Sequence, residues 1–553
     1  MLIFDGAMGT NIQRLGLGPD DFGGKELEGC NDHLVLTRPD AVRGIHTAFL
    51  EVGCDVIETC TFQSTPRRLA EWGLASKVAA INETAARLAR SVADAYASDA
   101  RPRFVAGSLG PTGLLPSSDD PELSAITFDE LAAQYYEQAK WLVRGGVDIL
   151  LVETAQDILE VKAAVAGIER LFAELGYRVA VQLQVTLDTS GRMLLGTDIA
   201  SAMVTLEALR ADVIGLNCST GPEHMRDPIR YLVEHATRPV SCIPNAGLPL
   251  NTGIGEAVYP LEPEPLATTL AEFVRDLGVR VVGGCCGTTP DHLAAVVHAV
   301  DALGARRPDT LPPRWRSCRP VARVSSAMRA ITLHQDPPPL IVGERVNAQG
   351  SRLVKELLLR EDYEGVLDVA RKQVEDGAHV LDVCVALTER SDEAAQMARV
   401  VKLLSMAVEA PLMIDSTEPL VIRTALEHLP GRGIVNSVNM ENGRARIDAV
   451  APIARAHGAA LVALTIDEEG MAKSRERKLQ VARRIHDILV GEYDFQPSDL
   501  IFDALTFTLA TGDPEWLDSA RETIEGIRLI EQELPGVHTI LGVSNVSFGL
   551  AAP

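Results

Sequence analysis

The sequence predicts two (β/α)8 TIM-type barrels in tandem, the second lacking its last strand–helix unit. Three observations carry this. Residues 1–303 alternate short apolar runs with amphipathic stretches, in eight units of about 30 residues, the rhythm of a parallel barrel. Residues 304–339 break the rhythm with Arg306-Arg307-Pro308, Pro312-Pro313 and Pro337-Pro338-Pro339, a stiff proline-rich linker in which residues 324–333 can form a small hairpin or cap at the base of the next domain. From residue 340 to 553 the alternation restarts, but with seven strand candidates. An open doubly wound sheet is the competing architecture for the first domain.

In the first domain the strand candidates are residues 1–4, 56–59, 103–108, 147–152, 180–185, 213–216, 240–244 and 281–283, with helical patterns such as 41–52 and 128–144 between them. Barrel chemistry stands at the C-terminal ends of strands, and polar residues recur there. Asp5 follows the first strand, Glu58-Thr59-Cys60-Thr61-Phe62 the second, Gly107-Ser108-Leu109-Gly110-Pro111 the third and Glu153-Thr154 the fourth. Cys218 closes the sixth, Asn245 the seventh and Cys285-Cys286 the eighth.

The cysteine doublet is the most informative of these. Neighbours on a strand point to opposite faces, so two adjacent cysteines aimed at one target must sit on a loop. Gly283, Gly284 and Gly287 give the backbone that freedom, and Thr288-Thr289-Pro290 reads as a helix start. A soft, thiolate-binding metal is the natural target, zinc the common one; the alternative is a buried pair of inert thiols. Asn217-Cys218-Ser219, at the end of another apolar run, breaks the tie. Three strand-end cysteines with a fourth position open describe a catalytic zinc site.

Gly-Gly-Cys-Cys-Gly with an upstream Asn-Cys resembles the homocysteine S-methyltransferase family. The resemblance implies that Cys218, Cys285 and Cys286 hold zinc, and that Asp5 and Glu153 hold the amino group of homocysteine. Two carboxylates suit an ammonium excluded from water. Cys60 departs from the asparagine expected in the second-strand motif and is read as a bystander.

The second-domain strand candidates are residues 340–343, 380–383, 412–414, 433–436, 460–464, 500–502 and 538–543. Their ends carry Glu344-Arg345-Val346-Asn347, Asp382-Val383-Cys384, Asp415-Ser416-Thr417, Asn436-Ser437-Val438-Asn439, Asp503 and Ser544-Asn545. In this order and spacing they resemble the pterin-binding family, which includes dihydropteroate synthase and the methyltetrahydrofolate–corrinoid methyltransferases. The resemblance implies a folate site built from Glu344, Asn347, Asp415, Asn436, Asp503 and Asn545, with Asn545 the catalytic group reaching N5. Cys384 replaces an asparagine usual in those methyltransferases, and Asp503-Ala504-Leu505 replaces Asp-Pro-Asn or Asp-Pro-Leu. A homocysteine barrel followed by a folate barrel resembles the N-terminal half of the cobalamin-dependent methionine synthases. No Asp-x-His-x-x-Gly cobalamin-ligating motif occurs here, so cobalamin would come from a domain missing from this chain.

Composition narrows the partners. With 52 basic against 76 acidic side chains the formal charge is -24, which argues against nucleic acid and anionic membranes. No apolar run reaches the roughly 18 residues that span a bilayer, and the N-terminus lacks the basic region of a signal peptide. Nine cysteines, sparse and odd in number, suit reduced thiols in the cytoplasm. Two rival readings remain: a fusion with methylenetetrahydrofolate reductase, which needs a flavin site, and a non-catalytic zinc- or folate-binding subunit.

Overall fold

The structure is a computed structural model that describes residues 1–250, 257–304, 321–508 and 518–547. It divides into two units, Met1–Arg319 and Pro320–Pro553. The sheet of the first has eight parallel strands: β1 (Leu2–Ile3), β2 (Val56–Glu58), β3 (Phe104–Leu109), β4 (Ile149–Ala155), β5 (Ala180–Val185), β6 (Val213–Asn217), β7 (Val240–Ile243) and β8 (Val281–Val282). They pair in the order β1-β8-β7-β6-β5-β4-β3-β2, and the two ends of that order meet. Phe4 bridges Val56 in parallel, and Asp55 N–H donates to Ile3 O at 2.7 Å. The sheet is a closed barrel, which removes the open doubly wound alternative.

A repeated clasp holds its base. Asp55, Asp148 and Asp212 each stand just before an even-numbered strand. Each carboxylate accepts from a backbone N–H of the preceding odd strand: Ile3 at 3.0 Å, Val105 at 2.8 Å and Val181 at 2.9 Å. Each also meets an arginine, Arg103, Arg90 and Arg178 respectively. Above the clasps, Phe4, Val56, Ala106, Ile149, Leu151, Ile243 and Val281 fill the interior. These are the inward positions of strands whose side chains alternate faces.

The second unit begins with an antiparallel hairpin, β9 (Arg323–Ser325) and β10 (Ala330–Thr332), inside the stretch expected to be linker. Val324 and Ile331 pack onto Val380, Met413, Ile434, Ala460, Val462 and Ile501, so the hairpin plugs the base of the sheet. Ser325 N–H donates to Arg432 O at 2.9 Å, and the Arg432 guanidinium donates to Arg323 O and Gly458 O and pairs with Asp499. Gly431 makes the close approach possible, because a Cβ there would lie 2.0 Å from Ser325 O.

The sheet itself runs β11 (Val342–Asn347), β12 (Val380–Cys384), β13 (Leu412–Asp415), β14 (Ile434–Val438), β15 (Ala460–Leu464), then β18 (Leu500–Asp503) and β19 (His538–Ile540). A small hairpin, β16 (Ile466–Asp467) with β17 (Gly470–Met471), follows β15. Among the described residues the seven sheet strands are parallel and follow one another in chain order, as in the expected incomplete barrel. The first strand differs from expectation. Glu344 and Asn347 lie on β11 rather than after it, because the register shifts between Gly343 and Val346. Glu344 and Arg345 together oppose Asp382 as a bulge, and Gln373 Oε1 accepts the displaced Arg345 N–H at 2.7 Å.

Two measurements test these packing arguments. Ile331→Ala is expected to cost about 2 kcal/mol in the second unit, leaving the first unchanged in thermal unfolding. In the first unit, His46 on helix Pro39–Glu51 is fully buried, and neither ring nitrogen has a hydrogen-bond partner among the described residues. Burial pushes its pKa from 6.5 down to about 4, so it is neutral in the fold. Its contribution to stability is complete above about pH 6.5 and is lost as pH falls toward 4, because the unfolded chain binds the proton first. His46→Leu should therefore remove up to about 3 kcal/mol of acid sensitivity from that window, read from denaturant midpoints at pH 7 and pH 4.5.

Candidate functional site

The turn after β8 is built to turn two adjacent side chains one way. Cys285 N–H donates to Pro244 O at 2.8 Å, while Cys286 O accepts from Ala246 N–H at 2.9 Å. Thr288 Oγ1 donates to Cys285 O at 2.7 Å, and a Cβ on Gly284 would collide with that same hydroxyl at 2.4 Å. Thr289 then caps helix Pro290–Ala302, the expected helix start. From the end of β6, Cys218 adopts φ +61° and Ser219 φ +63°, left-handed backbone that costs of order 1–3 kcal/mol per residue away from glycine. The three sulfurs lie within 4.8 Å of one another, with Cys218 Sγ and Cys286 Sγ 3.9 Å apart. Two thiolates on one tetrahedral zinc, at about 2.3 Å each, stand about 3.8 Å apart, so the trio fits that metal.

Hydrogen bonds donated by Cys218 and then Cys285 push Cys286 down to about 3, with Tyr259 adding a third. Cys285 is pushed up by its bonds to Cys218 and Cys286 and by burial. The three sulfurs and Tyr259 thus form one hydrogen-bonded cluster. Tyr259 also lies against Gly287, where a Cβ would sit 2.3 Å from the tyrosine Cβ.

The acids share the mouth of this barrel. Asp5 accepts from Glu58 N–H with both oxygens, at 3.2 and 3.1 Å. Glu153 accepts from Ser108 Oγ at 2.5 Å and from Asn217 Nδ2 at 3.0 Å. Burial pushes Asp5 and Glu58 well above the carboxylate range and Glu153 to about 7. Asn217 is the joint between acids and thiols: its Nδ2 also faces Thr154 Oγ1 at 2.8 Å and Cys285 Sγ at 3.9 Å. Its Oδ1 accepts Thr154 N–H at 2.7 Å and secures that residue at φ +58°. A soft cation at the sulfurs and a hydrogen-bonding cation at the acids would let both sets ionise. Cys60, read as a bystander, is buried, donates to Asn31 O at 3.4 Å and is held protonated by burial.

In the second unit the structure brings together Asn347, Asp415 and Asn436 around Asp382. Asn347 Nδ2 donates to Asp382 at 2.7 Å and to Asp415 at 3.0 Å, and Asn436 Nδ2 to Asp382 at 3.4 Å. Burial, then the charge of Asp415, pushes Asp382 to about 7. Sequence reasoning assigned Asp382 no role, although a carboxylate inside the apolar run Val380–Cys384 was the available signal. Asp503 ends β18, raised to about 6 by burial. Glu344 is exposed on the bulge of β11, and Asn545 is exposed on the turn after β19. Neither is hydrogen-bonded to the Asp382 cluster among the described residues. Cys384 is buried at the end of β12 and pushed up to about 12 by burial.

Eight parallel strands closed into a barrel with three thiols at its strand ends, followed by a parallel sheet ending in carboxylates and carboxamides, define a protein of two successive barrel-type units. The family comparisons agree. Residues 2–300 match the model described as homocysteine S-methyltransferase, and residues 343–552 the one described as pterin binding enzyme. The chain belongs to the homocysteine S-methyltransferase family, with a pterin-binding domain after it. It is 43% identical to the methionine synthase of Mycobacterium tuberculosis over 553 residues, covering all of this chain and 45% of that one. The Mycobacterium leprae methionine synthase is 42% identical, with the same coverage. The chain thus spans about half the length of the curated relatives it matches. A solved homocysteine methyltransferase of Escherichia coli, in its metallated form, aligns at 23% identity and a TM-score of 0.43, over 54% of this chain and 95% of its own.

Asn217→Ala is expected to weaken the binding of added zinc about 10–100-fold in a chelator competition, because it removes the amide that faces Cys285 Sγ. Ser108→Ala, which touches the acids only, should leave zinc affinity unchanged.

Proposed function

We propose that the first barrel binds homocysteine and activates its thiol with zinc held by Cys218, Cys285 and Cys286, for methylation by methylcobalamin. The second barrel binds 5-methyltetrahydrofolate, which remethylates the cobalamin. The observation that carries this reading is the sulfur trio within 4.8 Å, set beside three buried acids. A free thiol has a pKa of about 8.5 and is mostly protonated at neutral pH. When bound, zinc lowers the pKa of a substrate thiol, and thiolate ligands keep it electron-rich enough for the sulfur to stay nucleophilic.

The chain's own residues supply the rest. Asp5 and Glu153 take the ammonium of homocysteine, which lowers their pKa values back toward the ionised range and fixes the amino acid's orientation. In the second barrel, Asp415, Asn436 and Asp503 match the amide-and-amine edge of a pterin with paired hydrogen bonds. Asn347 ties Asp415 to Asp382 and so fixes one side of that frame, with Glu344 beside it. Asn545 is assigned to N5. It accepts or donates a hydrogen bond there but is no acid, so the proton that an amine leaving group requires comes from water or a network. Cobalamin is carried by a domain outside this chain, a reading supported by the greater length of the relatives. The sparse, odd number of cysteines is what supports the cytoplasm as the setting for this chemistry.

Zinc content and zinc X-ray absorption test the first half. One zinc per chain is expected, with three sulfur neighbours rising to four on adding homocysteine, and loss of the metal in Cys285→Ala. A folded, reduced sample without zinc would leave the thiols as packing. For the second half, Asp415→Ala should weaken 5-methyltetrahydrofolate binding about 10-fold or more by calorimetry. Turnover with added methylcobalamin and homocysteine separates an enzyme from a binding subunit.

A further inference from the structure

Lys478, on helix Arg475–Glu492, is fully buried, which is rare for an ammonium. Its three protons have three acceptors: Ala472 O at 2.9 Å, Ala504 O at 2.5 Å and Leu505 O at 3.1 Å. An ammonium withdrawn from water is tolerable only when every donor is met, and here every donor is met by backbone. Room for the stem comes from helix Ser519–Glu533, where a Cβ on Gly526 would lie 2.7 Å from Lys478 Cδ. The nitrogen also stands 5.2 Å from the centroid of the Phe507 ring.

The carbonyls belong to two different mouth segments. Ala472 closes the small hairpin after β15, and its N–H donates to Thr465 O at 3.0 Å. Ala504 and Leu505 directly follow Asp503. Thr465 binds Asp503 O through both its N–H and its hydroxyl, each at 3.1 Å. Leu505 is held at φ +56°, a conformation unfavourable for a leucine, and its N–H donates to Asp503 Oδ1 at 2.7 Å. Thr523 Oγ1 donates to Leu505 O at 2.9 Å, a second tie on the same carbonyl.

We propose that Lys478 is a positioning residue for Asp503: its ammonium staples the segments after β15 and β18 together, and so sets the carboxylate that meets the pterin edge. This rests on the folate reading above. Lys478 does not touch the ligand. It holds Leu505 left-handed, Leu505 N–H holds one carboxylate oxygen, and the other oxygen is left to the ligand. The charge matters as well as the geometry, because Asp503 lies in the field of this cation.

The test is a double-mutant cycle in the full chain, read as the Kd for 5-methyltetrahydrofolate by calorimetry. Asp503→Asn and Lys478→Met are each expected to weaken binding about 10-fold or more, and the double variant to bind within about 2-fold of the weaker single. Zinc content and Cys-dependent homocysteine binding stay at wild-type values, since they belong to the other unit. Losses that multiply in the double variant would mean that Lys478 acts on the fold alone, and would overturn the proposal. So would wild-type affinity in a folded Lys478→Met. A wild-type chain that binds no 5-methyltetrahydrofolate overturns the folate reading itself, and this inference with it. If Lys478→Met fails to fold, Thr523→Val removes one hydroxyl from the same carbonyl. It should weaken binding about 3-fold, again without multiplying the loss from Asp503→Asn.

Discussion

Like charges held together out of water are the constraint on which both mouths depend. Asp5, Glu58 and Glu153 crowd three thiols in one unit, and Asp382 and Asp415 share a buried frame in the other. Without compensation each added carboxylate raises the cost of ionising the next. The chain compensates in one recurring way: a carboxamide is placed between the anions. Asn217 joins Glu153 to Cys285, and Asn347 joins Asp382 to Asp415, with Asn436 on the far oxygen of Asp382. An amide donates two hydrogen bonds without adding charge, so the acids stay poised to be neutralised by a ligand instead of by the protein. Asp503 receives a cation, Lys478, but a backbone cage keeps that cation off the carboxylate itself.

The opposite ends of both sheets follow a different logic. There the carboxylates are paired: Asp55 with Arg103, Asp148 with Arg90, Asp212 with Arg178, and Asp499 with Arg432. Apolar side chains of the β9–β10 hairpin seal the second base. Among the described residues, four of the six non-glycine positions with left-handed backbone, Thr154, Cys218, Ser219 and Leu505, stand at the other end, each at the end of a strand carrying a candidate ligand group. A well-packed base makes a strained mouth affordable.

Much of the fold was legible in the sequence, because short apolar runs, their abrupt ends and the amphipathic stretches between them are local signals. The cysteine doublet was legible for the same reason: adjacency on a strand would split the sulfurs between faces, so the glycines had to make a turn. What was not legible depended on distant partners. The bulge at Glu344-Arg345 needs Gln373 to accept the displaced N–H, and nothing near residue 344 announces that glutamine. Lys478 sits in Arg475-Glu476-Arg477-Lys478, a run that reads as a solvated face. Tyr259 reaches Cys286 from a loop whose path no period describes. The β9–β10 hairpin was legible in outline, as a small hairpin or cap over residues 324–333 at the base of the next domain, although flanking prolines frame it. Asp382 was the one missed residue with a local signal, a lone acid in an apolar strand.

The aspartate clasps of the first barrel recur at β2, β4 and β6, each sewing an even strand to the odd strand before it, and one of them closes the cylinder. Arg280 takes the corresponding place before β8, its N–H on Val240 O at 3.0 Å. The barrel is therefore periodic in pairs of strands, with Asp55-Val56-Ile57, Asp148-Ile149-Leu150 and Asp212-Val213-Ile214 as its written trace. The unit that keeps its base bonds intact is thus a two-strand, two-helix module. A recombination boundary drawn between such pairs keeps every clasp whole, whereas one drawn within a pair cuts an acid from its amide.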